Sequence, residues 1–286
     1  MSKYLKPKKK YSTPNKKVGE VIQKIVKWYF KPEYIGFENL GEDKPALYVS
    51  NHTMLGLTDG PLYMGKLLYK KDIYLRPLVD KMQRHIPIWR KLMNDFGGVI
   101  ASKKNCKELM EQGQHILVFP GGTNEAFKNE GEEYQLIWKE RFGFVKMAIE
   151  NGYPIIPISG LGGDDLYDII LDKEDIMDSF IGEWLKDSGI ADKYLRGGEN
   201  IPPILAGLGG TFLPKPKKIY YHFGTPIPTE QYNGETSTDV LETIRLQVEI
   251  AIYKGMLEMI ELKKKEGFKK QSQFWKIIKH YENKLK

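Results

Sequence analysis

Apolar residues in this chain follow two rhythms that alternate from about residue 47 onward. Short continuous apolar runs with strand character appear at ALYVSNH (ending at His52), IYLRPLV, GGVIAS, HILVFP, YPIIPISG and KIYYHFG. Between them lie stretches of helical spacing. One starts near Thr58 with Pro61 in its first turn and runs through Leu62, Leu67 and Leu68; another covers 88–95. Further helices are predicted from Lys103 to Glu111, from Phe142 to Glu150 and from Asp239 to Lys265. This alternation predicts an α/β fold with a mixed, largely parallel sheet flanked by helices. The prolines of YPIIPISG predict a strand that lies at an edge or begins late. From Asp164 to Pro216 the rhythm loosens into an acidic and then Gly- and Pro-rich stretch, open to reading as a lid, an acceptor-binding insertion or a plain surface excursion.

The two ends follow another pattern. Val18, Val21, Ile22, Ile25 and Tyr29 recur at helical spacing among Lys17, Lys24, Lys27 and Lys31, and Phe274, Ile277, Ile278, Tyr281 and Leu285 do so among Lys276, Lys279 and Lys284. Amphipathic basic helices are therefore expected at both ends, over 1–31 and 254–286, around a central domain at 32–253. Residues 1–31 carry ten lysines against Glu20, and 254–286 ten lysines against four glutamates, leaving −8 for the middle of a chain of +7 overall. Charge concentrated on apolar-striped ends fits an anionic membrane surface as partner. Packing of either stripe on the domain is the alternative. The acidic middle and the lack of an aromatic-basic platform weigh against nucleic acid. No apolar run approaches the ~20 residues of a membrane span. A lone Cys106 and the lack of an apolar leader suggest a reducing compartment, hence a cytoplasmic, peripheral membrane protein.

Candidate chemistry centres on His52, which leaves one strand, and on FPGGTNEAF, which leaves another. A positioned histidine is the usual base for activating a hydroxyl, and it needs a partner on its second ring nitrogen. Asp59, separated from it by six residues, is the nearest acidic side chain downstream. On a continuous helix the two would be about 10 Å apart along the axis; a loop at TMLGL would close the gap. Asp59 could instead be a helix N-cap, and His52 a buried structural histidine. Gly121 and Gly122 offer unhindered backbone N–H groups to a phosphate or an oxyanion, or mark a plain turn. Thr123 and Glu125 are substrate-binding candidates or caps, and Lys103 could meet phosphates or simply face solvent. The remaining histidines lack metal-ligand spacing, and no metal or cofactor is expected.

Four blocks, NHTMLGLTD, GVIASK, FPGGTN and IIPISG, occur in this order. They resemble the N-H-x-x-x-x-D, G-x-x-x-x-R, F-P-E-G-T-R and V-P-V/I-P-I blocks of the glycerolipid acyltransferase superfamily, over roughly Leu47 to Gly163. The resemblance implies His52 as catalytic base, Asp59 as its orienting partner and Lys103 at the basic position of the second block. Two features depart from the common form: the His–Asp spacing is two residues longer, and Gly121 and Asn124 stand where the third block has Glu and Arg. Without that arginine, a phosphate-bearing acceptor is less expected. The G-G-x-x-E-A pattern is similar to the diacylglycerol acyltransferase and phytyl ester synthase branch, which acylates neutral lipid alcohols. The implied reaction is O-acyl transfer from acyl-CoA or acyl-carrier protein to diacylglycerol or a long-chain alcohol. A lysophospholipid acyltransferase and a non-catalytic lipid-binding protein are the alternatives.

Overall fold

The computed structural model describes residues 16–41, 44–56, 58–81, 91, 93–232 and 234–264. The main sheet is built from strands β1 (Glu33–Ile35), β2 (Leu47–Ser50), β3 (Leu75–Val79), β4 (Val99–Ile100), β5 (His115–Val118), β6 (Ile155–Leu161) and β9 (Tyr220–Phe223), in the order β1-β9-β6-β2-β5-β3-β4. Pairing is parallel except between β6 and β9. The mixed, largely parallel sheet is thus as expected.

Central strands β2 and β6 are buried at every position. That explains their unbroken apolar runs, because a parallel sheet is covered on both faces. On one face Val49, Ile116 and Ile155 pack with helices α3 (Lys103–Glu111), α5 (Gly143–Glu150) and α9 (Thr238–Lys264). On the other, Tyr48, Leu117 and Ile158 join Phe30 of helix α1 (Lys16–Phe30) and Leu67 of α2 (Gly65–Lys71).

The YPIIPISG strand is not at an edge. It begins after Pro154 and occupies a central place between β9 and β2. Ile155 exchanges hydrogen bonds with Ile227, and Pro157 accepts one from the Gly224 N–H. By strand alternation the Pro157 nitrogen therefore faces the irregular 224–227 bend, where a missing donor breaks no ladder.

The stretch 164–216 is more ordered than its composition suggested. It holds an antiparallel pair, β7 (Asp168–Leu171) and β8 (Ile204–Ala206), and three short helices, α6 (Lys173–Met177), α7 (Phe180–Asp187) and α8 (Ile190–Leu195). Of the basic helix expected over 254–286, residues 254–264 are the end of α9, with Met256, Met259 and Ile260 buried in the core; the rest of it, and most of the helix expected over 88–95, lie outside the described residues. No described helix is long and apolar enough to cross a membrane.

Candidate active site

Neighbouring strands β6, β2 and β5 deliver their carboxyl ends to one crevice, the usual ligand position in an open α/β sheet. His52 lies two residues past β2. The preceding Asn51 bridges to the end of β6: its Oδ1 accepts from the Gly160 N–H at 2.7 Å and its Nδ2 donates to the Gly160 carbonyl at 3.1 Å.

The TMLGL loop brings His52 and Asp59 together. A short 3-10 turn over Met54–Gly56 places Leu55 (φ 57°) and Gly56 (φ 62°) in the left-handed region, so the six intervening residues fold back on themselves. The result is an Nδ1···Oδ2 distance of 3.0 Å. Asp59 also accepts from the Thr53 N–H at 3.1 Å and the Thr53 hydroxyl at 2.9 Å. It makes no side-chain cap to the turn that follows, so the N-cap reading does not hold. A buried carboxylate already accepting two donors accepts the His52 Nδ1–H as well, which leaves the Nε2 lone pair as the basic site. Among the described residues Nε2 has no hydrogen-bond partner. One ring face stacks on Phe119, with centroids 4.2 Å apart. Against the edge lies Gly56, where a Cβ would stand 2.1 Å from Cε1.

The backbone of His52 is held as firmly as its ring. Its N–H donates to Glu125 Oε2 at 3.1 Å, while Glu125 Oε1 accepts from the Ile137 N–H and Trp138 Nε1, each at 3.1 Å. Burial pushes the Glu125 carboxyl up to about 7, against the opposing pull of Lys128 and of the N–H groups of His52 and Ile137. The His52 carbonyl accepts from Lys128 Nζ at 2.7 Å. Lys128 is fully buried and pairs with Asp164 Oδ2 at 2.9 Å. Asp164 in turn accepts from the N–H groups of Met54 and Tyr134, both at 2.8 Å. Each buried charge thus has a partner, as burial requires.

A family model described as diacylglycerol acyltransferase matches residues 49–273. The chain belongs to the diacylglycerol acyltransferase family. It is 32% identical over 238 residues to phytyl ester synthase 2, chloroplastic, of Arabidopsis thaliana, covering 75% of this chain and 33% of that protein. To phytyl ester synthase 1, chloroplastic, of the same plant it is 32% identical over 213 residues, covering 68% of this chain and 29% of that one. The chain therefore spans about a third of the length of these relatives. The crystal structure of the 1-acyl-sn-glycerophosphate acyltransferase PlsC from Thermotoga maritima superimposes with a TM-score of 0.51 at 20% identity, covering 85% of this chain and 80% of that one. At that identity the likeness shows a shared fold.

In this family member the other expected site residues separate into two groups. Glu125, on the short helix α4 (Thr123–Ala126), sits beneath His52 as an acceptor for the N–H groups of His52 and Ile137. Gly121 packs under it: a Cβ there would lie 2.2 Å from Glu125 Cγ. Gly122, at φ 55°, spends its N–H on the Phe119 carbonyl at 3.0 Å, so that donor is not free for an oxyanion. The Thr123 hydroxyl donates to Asn200 of the 164–216 insertion at 2.7 Å. Lys103 is exposed at the start of α3, beyond the edge strand β4, and no described contact joins it to His52.

Arg141 is the cation that sequence reasoning missed. Its Nη1 donates to the Pro120 carbonyl at 2.6 Å and lies 3.1 Å from where a Gly122 Cβ would be, which puts a guanidinium on the FPGG loop. Lys128 was equally unmarked, since it stands among the polar residues of TNEAFKNEGEE, where a lysine carries no signal of burial.

Proposed function

We propose that this chain is a peripheral membrane O-acyltransferase that moves a fatty acyl group from a thioester, acyl-CoA or acyl-carrier protein, to a neutral lipid hydroxyl such as that of diacylglycerol or a long-chain alcohol. His52 Nε2 removes the hydroxyl proton as the oxygen attacks the thioester carbonyl. The tetrahedral intermediate then expels the thiolate, which takes the proton back from Nε2, so an ester forms and a thiol leaves with no acyl-enzyme. Asp59 keeps Nδ1 protonated and stabilises the imidazolium between the two steps. The observation that carries this reading is the buried His52–Asp59 contact at 3.0 Å, with Nε2 unpartnered at the strand ends. Family membership and the plant relatives' names support the lipid acyl-transfer class. Asn124, standing where the third superfamily block has Arg, supports a neutral acceptor.

One observation favours a second reading. Arg141 brings to the FPGG loop the guanidinium that position 124 lacks, and a guanidinium there suits the phosphate of a lysophospholipid acceptor. The two readings separate in one assay: transfer from radiolabelled long-chain acyl-CoA to diacylglycerol, a long-chain alcohol and lysophosphatidic acid, for wild type, His52→Ala and Arg141→Ala. Neutral ester formation lowered roughly 10²-fold or more in His52→Ala supports the proposal. Turnover confined to lysophosphatidic acid and lost in Arg141→Ala moves the chain to the phospholipid reading. Activity unchanged in His52→Ala overturns the mechanism.

A further inference from the structure

The first helix presents its two sides unequally. Gln23, Val26 and Phe30 face the domain, with Gln23 Nε2 reaching the Leu62 carbonyl at 3.5 Å. Val21, Ile25 and Trp28 lie together on the opposite side and are 57%, 60% and 77% exposed. Of the apolar stripe expected to pack either on the domain or on a membrane, Val21 and Ile25 are thus exposed, with Trp28 beside them, while Tyr29 packs on the domain.

The two flanks of this stripe differ. At 100° per residue, Lys24, Lys27 and Lys31 fall on one side of it and Tyr29 on the other. On the lysine side, Lys66 and Lys70 of α2 stand close to Lys27. Burial first, and then the charges of Lys27 and Lys70, hold the Lys66 ammonium below its ordinary range. Lys66 sits over the rings of Tyr34 and Phe37, and no carboxylate among the described residues pairs with Lys27, Lys66 or Lys70. Lys24, Lys27, Lys66 and Lys70 thus gather on this side against one carboxylate of α1, Glu20, whose charge acts on Tyr69 of α2.

On the other flank, the Tyr29 hydroxyl donates to the Pro214 carbonyl at 2.6 Å. That bond places Phe212 and Leu213, the two residues before Pro214, beside the Trp28 end of the stripe. Phe212 is 82% exposed, while Leu213 and Leu208 are about half exposed. The loop that carries them is tightly built. The Gly207 and Leu208 N–H groups donate to the carbonyls of Thr211 and Leu213 at 2.6 and 2.7 Å, and the Tyr167 hydroxyl donates to the Phe212 carbonyl at 3.2 Å. A rigid turn is holding large apolar side chains in water.

We propose that the outward face of α1 and the loop over 207–213 together form the surface that docks on an anionic lipid bilayer, with Ile25, Trp28, Phe212 and Leu213 entering the interfacial region and Lys24, Lys27, Lys66 and Lys70 meeting headgroups. The placement rests on the peripheral-membrane reading above and names its contact surface. Single exposed apolar residues are ordinary on a soluble protein, whereas a contiguous apolar ridge bordered by unpaired lysines is not. A bilayer supplies both complements, apolar depth and surface anions, and a Trp at the boundary suits its interface. The geometry also serves the reaction. The insertion that carries Phe212 carries Asn200, which bonds Thr123 on the FPGG loop, so a bilayer seated here lies against the segment that borders the site from which a water-insoluble acceptor must be reached.

The test uses the full chain and vesicles of phosphatidylcholine alone or mixed with phosphatidylserine. Three variants are compared with wild type: Ile25→Asp/Trp28→Ala, Phe212→Asp/Leu213→Asp and Lys24→Glu/Lys27→Glu/Lys66→Glu. Each is expected to weaken partitioning to the mixed vesicles by roughly tenfold or more, the first two at all salt concentrations and the third chiefly at low salt. Tm and transfer to detergent-dispersed acceptor should stay at the wild-type level. Wild-type binding that all three variants retain overturns the surface and leaves the peripheral reading intact. A wild type that acylates dispersed acceptor yet binds neither vesicle overturns both. A dimer that Phe212→Asp/Leu213→Asp dissolves assigns the face to a second copy of the chain and overturns the proposal.

Discussion

Glu125 and His52 meet through the backbone: the His52 N–H donates to Glu125 Oε2 at 3.1 Å, and the imidazole is left to Asp59. With Lys128 on the His52 carbonyl, both peptide groups of the proposed base are fixed by buried side chains from a single FPGGTNEAFK segment. In the proposed mechanism Glu125 therefore acts on the substrate only through the base that it positions.

Glu125→Gln tests this role. The glutamine oxygen can accept from Ile137 and Trp138, but its amide then turns a donor toward the His52 N–H, leaving two donors face to face. Loss of a buried hydrogen bond of this kind costs about 1–3 kcal/mol. The expected outcome is a fall in kcat of roughly 10- to 100-fold with KM little changed, because the residue touches no substrate in the proposed site. An altered KM at constant kcat would return Glu125 to a substrate-binding role.

Gly56→Ala attacks the same base from its ring. The added Cβ would lie 2.1 Å from His52 Cε1, at a backbone φ of 62° that L side chains adopt poorly. The ring must leave its place between Phe119 and Asp59. Displacement on the order of 1 Å is enough to lower kcat by roughly 10²-fold. Circular dichroism should stay close to wild type and Tm should fall by only a few degrees, since the strain is confined to one turn and a left-handed alanine costs about 1–2 kcal/mol.

Lys128→Met predicts mainly a stability loss. It leaves the buried Asp164 without its cation and the His52 carbonyl without a donor. Removing one partner of such a pair costs about 3–5 kcal/mol, on the order of 10 °C in Tm for a chain of this size. Thermal unfolding followed by circular dichroism measures it, and a Tm within a degree or two of wild type would show the pair to be dispensable.

Some of this was legible before the structure. Runs such as LYVS and IIPIS announced strands because a sheet covered on both faces shows no polar alternation. The prolines of YPIIPISG left an edge place or a late start open; the strand does start late, after Pro154, and it stays central because Pro157 aims its nitrogen at a bend that only the 224–227 chain creates. His52 and Asp59 were both visible, but their contact depends on two successive left-handed residues, and Leu55 carries no local signal for that conformation. Glu125 stood out without its role, since its target lies 73 residues away in sequence. Lys128 and Asp164 were not singled out, because a buried ion pair is written in the chain with the same letters as a solvated one.

His115 predicts acid sensitivity. Burial depresses its pKa from 6.5 to about 4, and its Nδ1 accepts the Ala46 N–H at 3.3 Å, a bond only the neutral ring can make. The unfolded chain binds the proton more readily between these values, so this contribution to stability is complete above about pH 6.5 and is lost as pH falls through about 4. The difference amounts to about 3 kcal/mol. Glu125, raised from 4.5 to about 7, works the opposite way over much of the same range. Urea unfolding of wild type against His115→Gln from pH 7 to 4 isolates the histidine. The gap between the two should change by that amount across the window, and a constant gap would show that His115 is not buried neutral.

The exchange of Glu for Gly at position 121 makes the last prediction. A Cβ on Gly121 would stand 2.2 Å from Glu125 Cγ and 2.5 Å from its Oε2, so the space into which a side chain at 121 would project is already filled by the carboxylate arriving from 125. A glycine at 121 and a glutamate at 125 are therefore one feature. Gly121→Ala should displace Glu125, free the His52 N–H and reproduce the kcat loss of Glu125→Ala, since residues in direct contact couple strongly. In the double variant Gly121→Ala/Glu125→Ala the collision is gone, and so is the hydrogen bond that it disturbed. Its kcat should match that of Glu125→Ala alone and fall well short of the product of the two losses. Losses that multiply would mean that Gly121 is needed for a separate reason, the first candidate being its own N–H, for which no protein acceptor exists among the described residues.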